Sequence, residues 1–234
     1  MKGLILAGGK GTRLLPVTRV INKHMVPILN IPMIMYPLET LKSFGIKDIM
    51  IVSGGEHIGS IADFLGDGSE FDVSLTYRVQ KEAGGIAQAL GLAKDFVCDQ
   101  KVAVILGDNI FDNNGLTIPE DSEFALFVKK VNDAFRFGVI NDAENAIIEK
   151  PKGATDGWAV TGLYVYPSEV FDIIPTLKPS ARGELEITDV NNYFLSKIEK
   201  RTIKRLETFW SDAGTPESLK EVINWAYDKS IKIK

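Results

Sequence analysis

The chain has 234 residues, 45 % of them hydrophobic and 25 % charged, with a formal net charge of -4 and a pI of about 5.4. That is enough apolar residue for a proper core and excludes a disordered chain. The mild acidity speaks against a broad basic nucleic-acid surface, though not against a nucleotide, for which a few local cations suffice. A lone cysteine, Cys98, rules out an internal disulfide and fits a reducing compartment. Gly8 and Gly9 interrupt the first apolar run too early for a signal peptide, and no apolar stretch approaches bilayer-spanning length. The expectation is a soluble cytoplasmic protein with no membrane and no nucleic-acid partner.

In chain order, Leu4, Ile5 and Leu6 predict a buried parallel strand. It runs straight into Gly8-Gly9-Lys10-Gly11-Thr12-Arg13-Leu14. Three glycines let the backbone turn sharply and approach a ligand, and closely spaced N–H groups beside Lys10 and Arg13 make a natural phosphate site. The loop meets neither G-x-G-x-x-G nor the Gly-Lys-Ser/Thr ending of a P-loop, so it is a phosphate loop of another kind. Residues 33–43 read as a helix, in which Pro37 must either kink it or sit in its first turn. Residues 48–52 read as a strand, 58–65 as a helix, 73–79 as a strand, 86–96 as a helix and 101–106 as a strongly apolar strand ending at Gly107-Asp108-Asn109. Strands alternating with helices imply a mostly parallel sheet covered on both faces. Beyond Asn109 the rhythm changes: 123–129, 137–140, 146–149 and 160–166 read as strands with little helix between them, a mixed extension of the sheet. Thr215 caps a final helix with Pro216 in its first position and Glu217 at its positive end, running to about residue 229. Ligands of open α/β sheets bind past the carboxyl ends of the strands, where the glycine loop and Asp108 both fall.

The glycine loop, followed by Pro16, Thr18, Lys23 and Pro27, resembles the signature of the sugar-1-phosphate nucleotidyltransferases. The likeness continues through Gln80 with Gly84-Gly85-Ile86-Ala87-Gln88-Ala89, Leu106-Gly107-Asp108-Asn109, Phe137-Gly138-Val139, Glu149-Lys150-Pro151, Val160-Thr161-Gly162-Leu163-Tyr164, residues 182–189 and Trp210-Ser211-Asp212-Ala213-Gly214-Thr215. One block alone is weak evidence; all of them in family order are not. The resemblance implies an α/β, Rossmann-like three-layer nucleotidyltransferase fold with a mixed, mostly parallel central sheet. It implies a single domain over 1–234, with a nucleotide-binding lobe to about 115, a sugar-phosphate lobe over about 116–210 and a closing helix over about 215–229. Lys81-Glu82-Ala83 departs from the commoner family wording. Longer members carry a further C-terminal helical segment that builds subunit contacts and a second nucleotide site. The resemblance therefore leaves homo-oligomer formation and feedback inhibition open here.

The implied reaction is attack of a sugar-1-phosphate oxygen on the α-phosphorus of a nucleoside triphosphate, with pyrophosphate leaving. Such chemistry needs positioning and charge stabilisation rather than an enzyme nucleophile. Arg13, which can bridge two phosphate oxygens, Lys23 and Asp108 are the implied catalytic groups. Leu6, Gly8, Gly9, Gly11, Thr12, Arg13, Gln80, Gly85 and Asp108 are the implied nucleotide contacts, Gln80 offering a donor and an acceptor to a pyrimidine edge. Gly138, Glu149, Lys150, Val160, Thr161, Tyr164 and Arg182 are the implied sugar-phosphate contacts. Asp108 and Asp212 would hold Mg²⁺ with the substrate phosphates and water, although either aspartate alone would serve equally as a turn cap. Trp158 and Trp210 are accounted for by core packing, and neither His24 nor His57 has a zinc-binding pattern. Within the family the nearest wording belongs to members using dTTP and glucose 1-phosphate; a UTP-using enzyme and a non-catalytic regulatory subunit are the alternatives.

Overall fold

The computed structural model describes residues 1–141 and 145–229. Strand β1 (Lys2–Ala7) is followed by three short 3₁₀ turns and a small hairpin of β2 (Pro27–Ile28) and β3 (Ile31–Pro32). Helix α1 (Met35–Ser43), β4 (Asp48–Gly54), α2 (Ile58–Leu65) and β5 (Ser74–Gln80) follow. Pro37 falls in the first turn of α1, where its missing N–H costs no helical hydrogen bond. The helix expected over 86–96 breaks into α3 (Ile86–Gly91) and α4 (Lys94–Val97), at Leu92 and Ala93. Then come β6 (Val102–Leu106) and the short β7 (Ile110–Phe111).

The second half contains β8 (Phe124–Val131), β9 (Gly138–Asn141), β10 (Ala146–Glu149) and the long β11 (Gly157–Tyr166). After α5 (Val170–Ile173) and α6 (Ile187–Lys197) come β12 (Arg201–Arg205), β13 (Trp210–Ser211) and α7 (Pro216–Asp228). Helix α6 and strands β12 and β13 have no counterpart in the elements expected from periodicity. The expected cap of α7 is present as a capping box. Thr215 Oγ1 accepts from the Ser218 N–H at 3.2 Å, and Ser218 Oγ accepts from the Thr215 N–H at 3.1 Å.

Among the described residues the main sheet has nine strands in the order β10-β9-β11-β6-β1-β4-β5, with β8 added against β11 and β12 against β8. The strands β6, β1, β4 and β5 run parallel, while β11 enters antiparallel to β6 and carries β9 and β8 with it. Alternation along β1 fixes the layers. Ile5 and Ala7 join a core with α1, α2 and α7; Leu4 and Leu6 join one with α3 and α6. The result is three layers around a mixed sheet, with the carboxyl ends of β1, β5 and β6 opening on one side. No helix among the described residues is long and apolar enough to cross a membrane.

Candidate active site

Two cavities open past those strand ends. The first, of about 320 Å³, is lined by Leu6, Gly8, Gly9 and Arg13 from the glycine loop and by Gln80, Gly85 and Glu184 across from it. The loop folds back so that Gly11 (φ +64°) accepts from Leu14 N–H at 2.9 Å and from Thr18 Oγ1 at 2.8 Å. A Cβ on Gly11 would lie 2.8 Å from the Thr18 methyl and 2.9 Å from Lys23 Cβ, so the turn and Lys23 are packed together. Gln80 ends β5 and is nearly buried; its amide N–H₂ donates to Gln88 Oε1 at 2.7 Å, and its oxygen faces Gly8. Gly85, at φ +101°, sits where a Cβ would lie 2.5 Å from the Leu185 carbonyl. Only glycine lets this loop receive the backbone of 184–185, which closes the cavity.

The second cavity, of about 450 Å³, has Gly138, Glu149, Lys150, Val160 and Tyr164 in its wall, all on β9–β11 or the turn after β10. Glu149 Oε2 accepts from Thr188 Oγ1 at 2.5 Å, and Oε1 lies 3.5 Å from Lys150 Nζ and 3.8 Å from Arg182 Nη2. Tyr164 is buried beneath Glu149 and Asp108, and burial first, then those two carboxylates, drive its phenol above the ordinary range. It is a neutral hydrogen-bonding group at any working pH.

Arg13, Ile86, Leu106 and Asp108 line both cavities. A two-stranded ribbon continues from that common wall into the second cavity. β7 and β13 pair antiparallel, Ile110 opposite Ser211 and Phe111 opposite Trp210, so the residues just outside the pair, Asn109 and Asp212, fall opposite each other. Two aspartates 104 positions apart in the chain thus share one cavity wall (212 less 108). A Cβ on Gly214 would lie 2.9 Å from Arg13 Nη2 and 3.4 Å from Asp108 Oδ2, which places the arginine beside the carboxylate.

Each aspartate is held by a cation. Lys23 Nζ donates to Asp108 Oδ2 at 2.6 Å in a nearly buried pair. Burial alone would raise the Asp108 carboxyl, but the charge of Lys23 and hydrogen bonds from Lys23 and Asn109 outweigh it and hold it below the usual range. Arg136 Nη2 donates to Asp212 Oδ2 at 2.7 Å, its Nη1 to Asp133 Oδ2 at 2.6 Å, and its guanidinium lies 4.9 Å from the Phe137 ring centre. His24 lines the first cavity from a buried position. Burial, reinforced by Lys23, lowers it to about 3, so it is neutral; its Nδ1–H donates to Asn22 Oδ1 at 2.9 Å.

Not every expected residue reaches the space. Alternation along β11 gives the cavity Val160, Gly162 and Tyr164, while Thr161 is fully buried and spends its hydroxyl on the Phe127 carbonyl at 2.8 Å. Its expected place in the sugar-phosphate pocket is therefore corrected. Gly11 and Thr12 shape the loop without lining either cavity. Arg182 stands at the rim, gripping Glu186 through Nη2 at 2.8 and 2.9 Å. Conversely, Arg136, Thr188, Asn109 and Trp210 line the second cavity without having been singled out for it. Trp210 has the core position expected of it, yet its indole also faces the space. Arg136 had one available signal: a cation directly before the Phe137-Gly138-Val139 block.

The donor set suits a hard divalent cation. Two aspartates line one cavity, and among the described residues no group of three or more His, Cys, Asp or Glu side chains could hold a metal by itself. A cation there would complete its shell from phosphate oxygens and water, as Mg²⁺ usually does.

A family model described as nucleotidyl transferase matches residues 2–228. A glucose-1-phosphate thymidylyltransferase of Neisseria meningitidis is 40% identical over 237 residues, covering 96% of this chain and 82% of that one. A Bacillus anthracis protein provisionally assigned the same activity, crystallised with sucrose, superposes with a TM-score of 0.89 at 47% identity, over 100% of this chain and 97% of that chain. A UDP-glucose pyrophosphorylase complexed with UDP-glucose, at 24% identity and a TM-score of 0.81 over 97% of this chain and 98% of that one, shares the fold.

Proposed function

From the premise that this chain belongs to the nucleotidyl transferase family, we propose that it joins dTTP to glucose 1-phosphate, giving dTDP-glucose and pyrophosphate. The observation that carries this reading is the pair of cavities sharing a wall at Arg13 and Asp108. A nucleotide in the first and a sugar phosphate in the second would bring their phosphates together at that wall. Relatives named for this activity support the choice of substrates.

The sugar-phosphate oxygen attacks the α-phosphorus in line, the bond to the β-phosphate oxygen breaks, and the electron pair leaves with pyrophosphate. Arg13 neutralises charge accumulating on the leaving group, and pairs with no carboxylate among the described residues, so it meets phosphate without first giving up a partner. Lys23 exchanges part of its hold on Asp108 for a triphosphate oxygen. Asp108 and Asp212 would hold the divalent ion that the family generally needs, Mg²⁺ in our reading. Such an ion draws charge off the phosphate oxygens and fixes their orientation. Gln80 presents its oxygen to the base, and Glu149, oriented by Thr188, accepts hydroxyl hydrogen bonds from the sugar. Lys150 and Arg182 receive the sugar's phosphate from the rim.

Thymine and uracil offer Gln80 the same polar edge, so discrimination rests on one methyl group, about 1–3 kcal/mol or roughly 10–200-fold, and on the absent 2′-hydroxyl. A pyrophosphate-release assay over a panel of triphosphates and sugar 1-phosphates tests the reading. dTTP with glucose 1-phosphate turns over fastest, UTP is measurably used, and ATP and GTP are poor. Faster turnover of a purine triphosphate would contradict the thymidylyl assignment while leaving the fold untouched.

A further inference from the structure

Asn109 is 2% exposed and sits between three parts of the site. Its amide nitrogen donates to Asp108 Oδ1 at 3.0 Å. Its oxygen accepts from the Gly162 N–H and from the Trp210 indole N–H, each at 2.8 Å. Both of those groups can only donate, so the amide has one admissible orientation, with its oxygen on them and its N–H₂ on the carboxylate. The three partners belong to different walls. Asp108 is shared by both cavities, and Trp210 precedes Asp212 by two residues on β13. Gly162 lies inside the register slip of β11 between Val160 and Tyr164, the two residues that β11 presents beside it to the second cavity.

We propose that Asn109 is a positioning residue that couples the carboxylate of the shared wall to the sugar-side strand, so that neither can shift without the other. Its oxygen's two acceptor positions and one of its two amide N–H groups are spent inside the protein, so it acts through its partners. Gly162 makes the coupling tight. A Cβ at that position would lie 2.6 Å from Asn109 Cγ and 2.7 Å from its Oδ1, so only glycine lets the β11 backbone reach the amide oxygen. The bonds are also buried, where a misaligned partner leaves an unsatisfied group rather than one rescued by water. Coupling metal and sugar sides in this way rests on the reading that Asp108 holds a divalent ion.

A double-mutant cycle on metal binding tests it. Mn²⁺ is titrated into the protein saturated with dTDP-glucose, followed by water-proton relaxation, in wild type, Asn109→Ala, Gly162→Ala and the double variant. The added methyl would meet Asn109 and, at 2.7 Å, Leu106 Cγ, but no metal-side carboxylate, so its effect on Mn²⁺ passes through one of those two side chains and the double variant separates them. Both single variants should weaken Mn²⁺ binding by about 10–100-fold, the range typical of groups that orient a metal ligand. In the Asn109→Ala background only the contact with Leu106 Cγ is left, so if the amide carries the coupling Gly162→Ala adds little further loss. Both single variants should also raise the KM for glucose 1-phosphate. Losses that multiply independently in the double variant would overturn the proposal. So would Mn²⁺ binding within twofold of wild type in Gly162→Ala, or a lowered Tm as the sole effect of Asn109→Ala. The Asp108→Asn control separates the two levels: wild-type Mn²⁺ binding there would overturn the metal reading itself and this inference with it.

Discussion

The two cavities are built differently. The first is bounded by the glycine loop, the ends of parallel strands and the segment after β5, with only residues 184–185 brought in from the second half to close it. The second is bounded by antiparallel β9, β10 and β11, by α6 and by the β13 ribbon, segments spread over about half the chain. Their charges differ as well. Arg13, on the wall common to both, pairs with no carboxylate among the described residues, whereas Arg136, Glu149 and Arg182 on the second side are already engaged with protein partners. A ligand whose phosphate reaches the shared wall meets a cation with no carboxylate partner among the described residues. One entering the second must exchange existing contacts. The shared wall therefore supplies the force on the reacting phosphates, and the second cavity supplies selection.

Removing groups from the shared wall should break that division most severely. Asp108→Asn and Arg13→Ala should each lower kcat by at least about 10²–10³, the usual loss for a transition-state contact, with an unchanged far-UV circular dichroism spectrum. Near-full turnover in either variant removes its assigned role. Lys23→Met tests the same wall by stability. It strands a buried carboxylate, and the expected cost is about 3–5 kcal/mol in urea unfolding.

The pH dependence follows with a definite sign. The Asp108 carboxyl is held below its ordinary value in the folded state. Its contribution to stability is therefore complete above the unfolded value and is lost as the pH falls through the folded one. Acid unfolding followed by tryptophan fluorescence should begin at higher pH in Lys23→Met than in wild type, and coincident curves would count against the pair.

On the second side the effects should be smaller and fall on KM. Glu149→Gln should raise the KM for glucose 1-phosphate by about 10–100-fold, as expected for a hydrogen bond to a charged group, while the KM for dTTP holds. Arg182→Ala should do least: an exposed arginine tied to Glu186 is worth about 0–1 kcal/mol to stability, and its loss should change KM by less than tenfold. An Arg182→Ala defect as large as that of Arg13→Ala would erase the contrast between the two sides.

The same contrast decides what could be read without coordinates. β1, β4 and β6 announce themselves by apolar runs, β5 by alternation, and Asp108 by its place at a strand end, because a parallel sheet puts its site where each strand stops. β7 and β13 are two residues each, too short for any periodicity, yet their pairing brings Asp212 to Asp108. Helix α6 was hidden because its buried residues Ile187, Thr188, Val190 and Asn191 mix polar with apolar, two of the polar ones facing the second cavity. Thr161 shows the converse error. A motif names neighbours, but strand alternation sends alternate members to opposite faces, and the hydroxyl went to the Phe127 carbonyl. Asn109 was visible as a letter in Gly-Asp-Asn, but its three partners lie 1, 53 and 101 positions away and only the fold assembles them.

A crystal structure of the protein with dTDP-glucose and Mg²⁺ tests the central claim most directly. The account predicts the thymine on Gln80 in the first cavity, the glucose against Glu149 in the second, and the diphosphate crossing the shared wall beside Arg13, with the cation between Asp108 and Asp212. A diphosphate bound away from Arg13 and Asp108, or base and sugar both lying in one cavity, would contradict it.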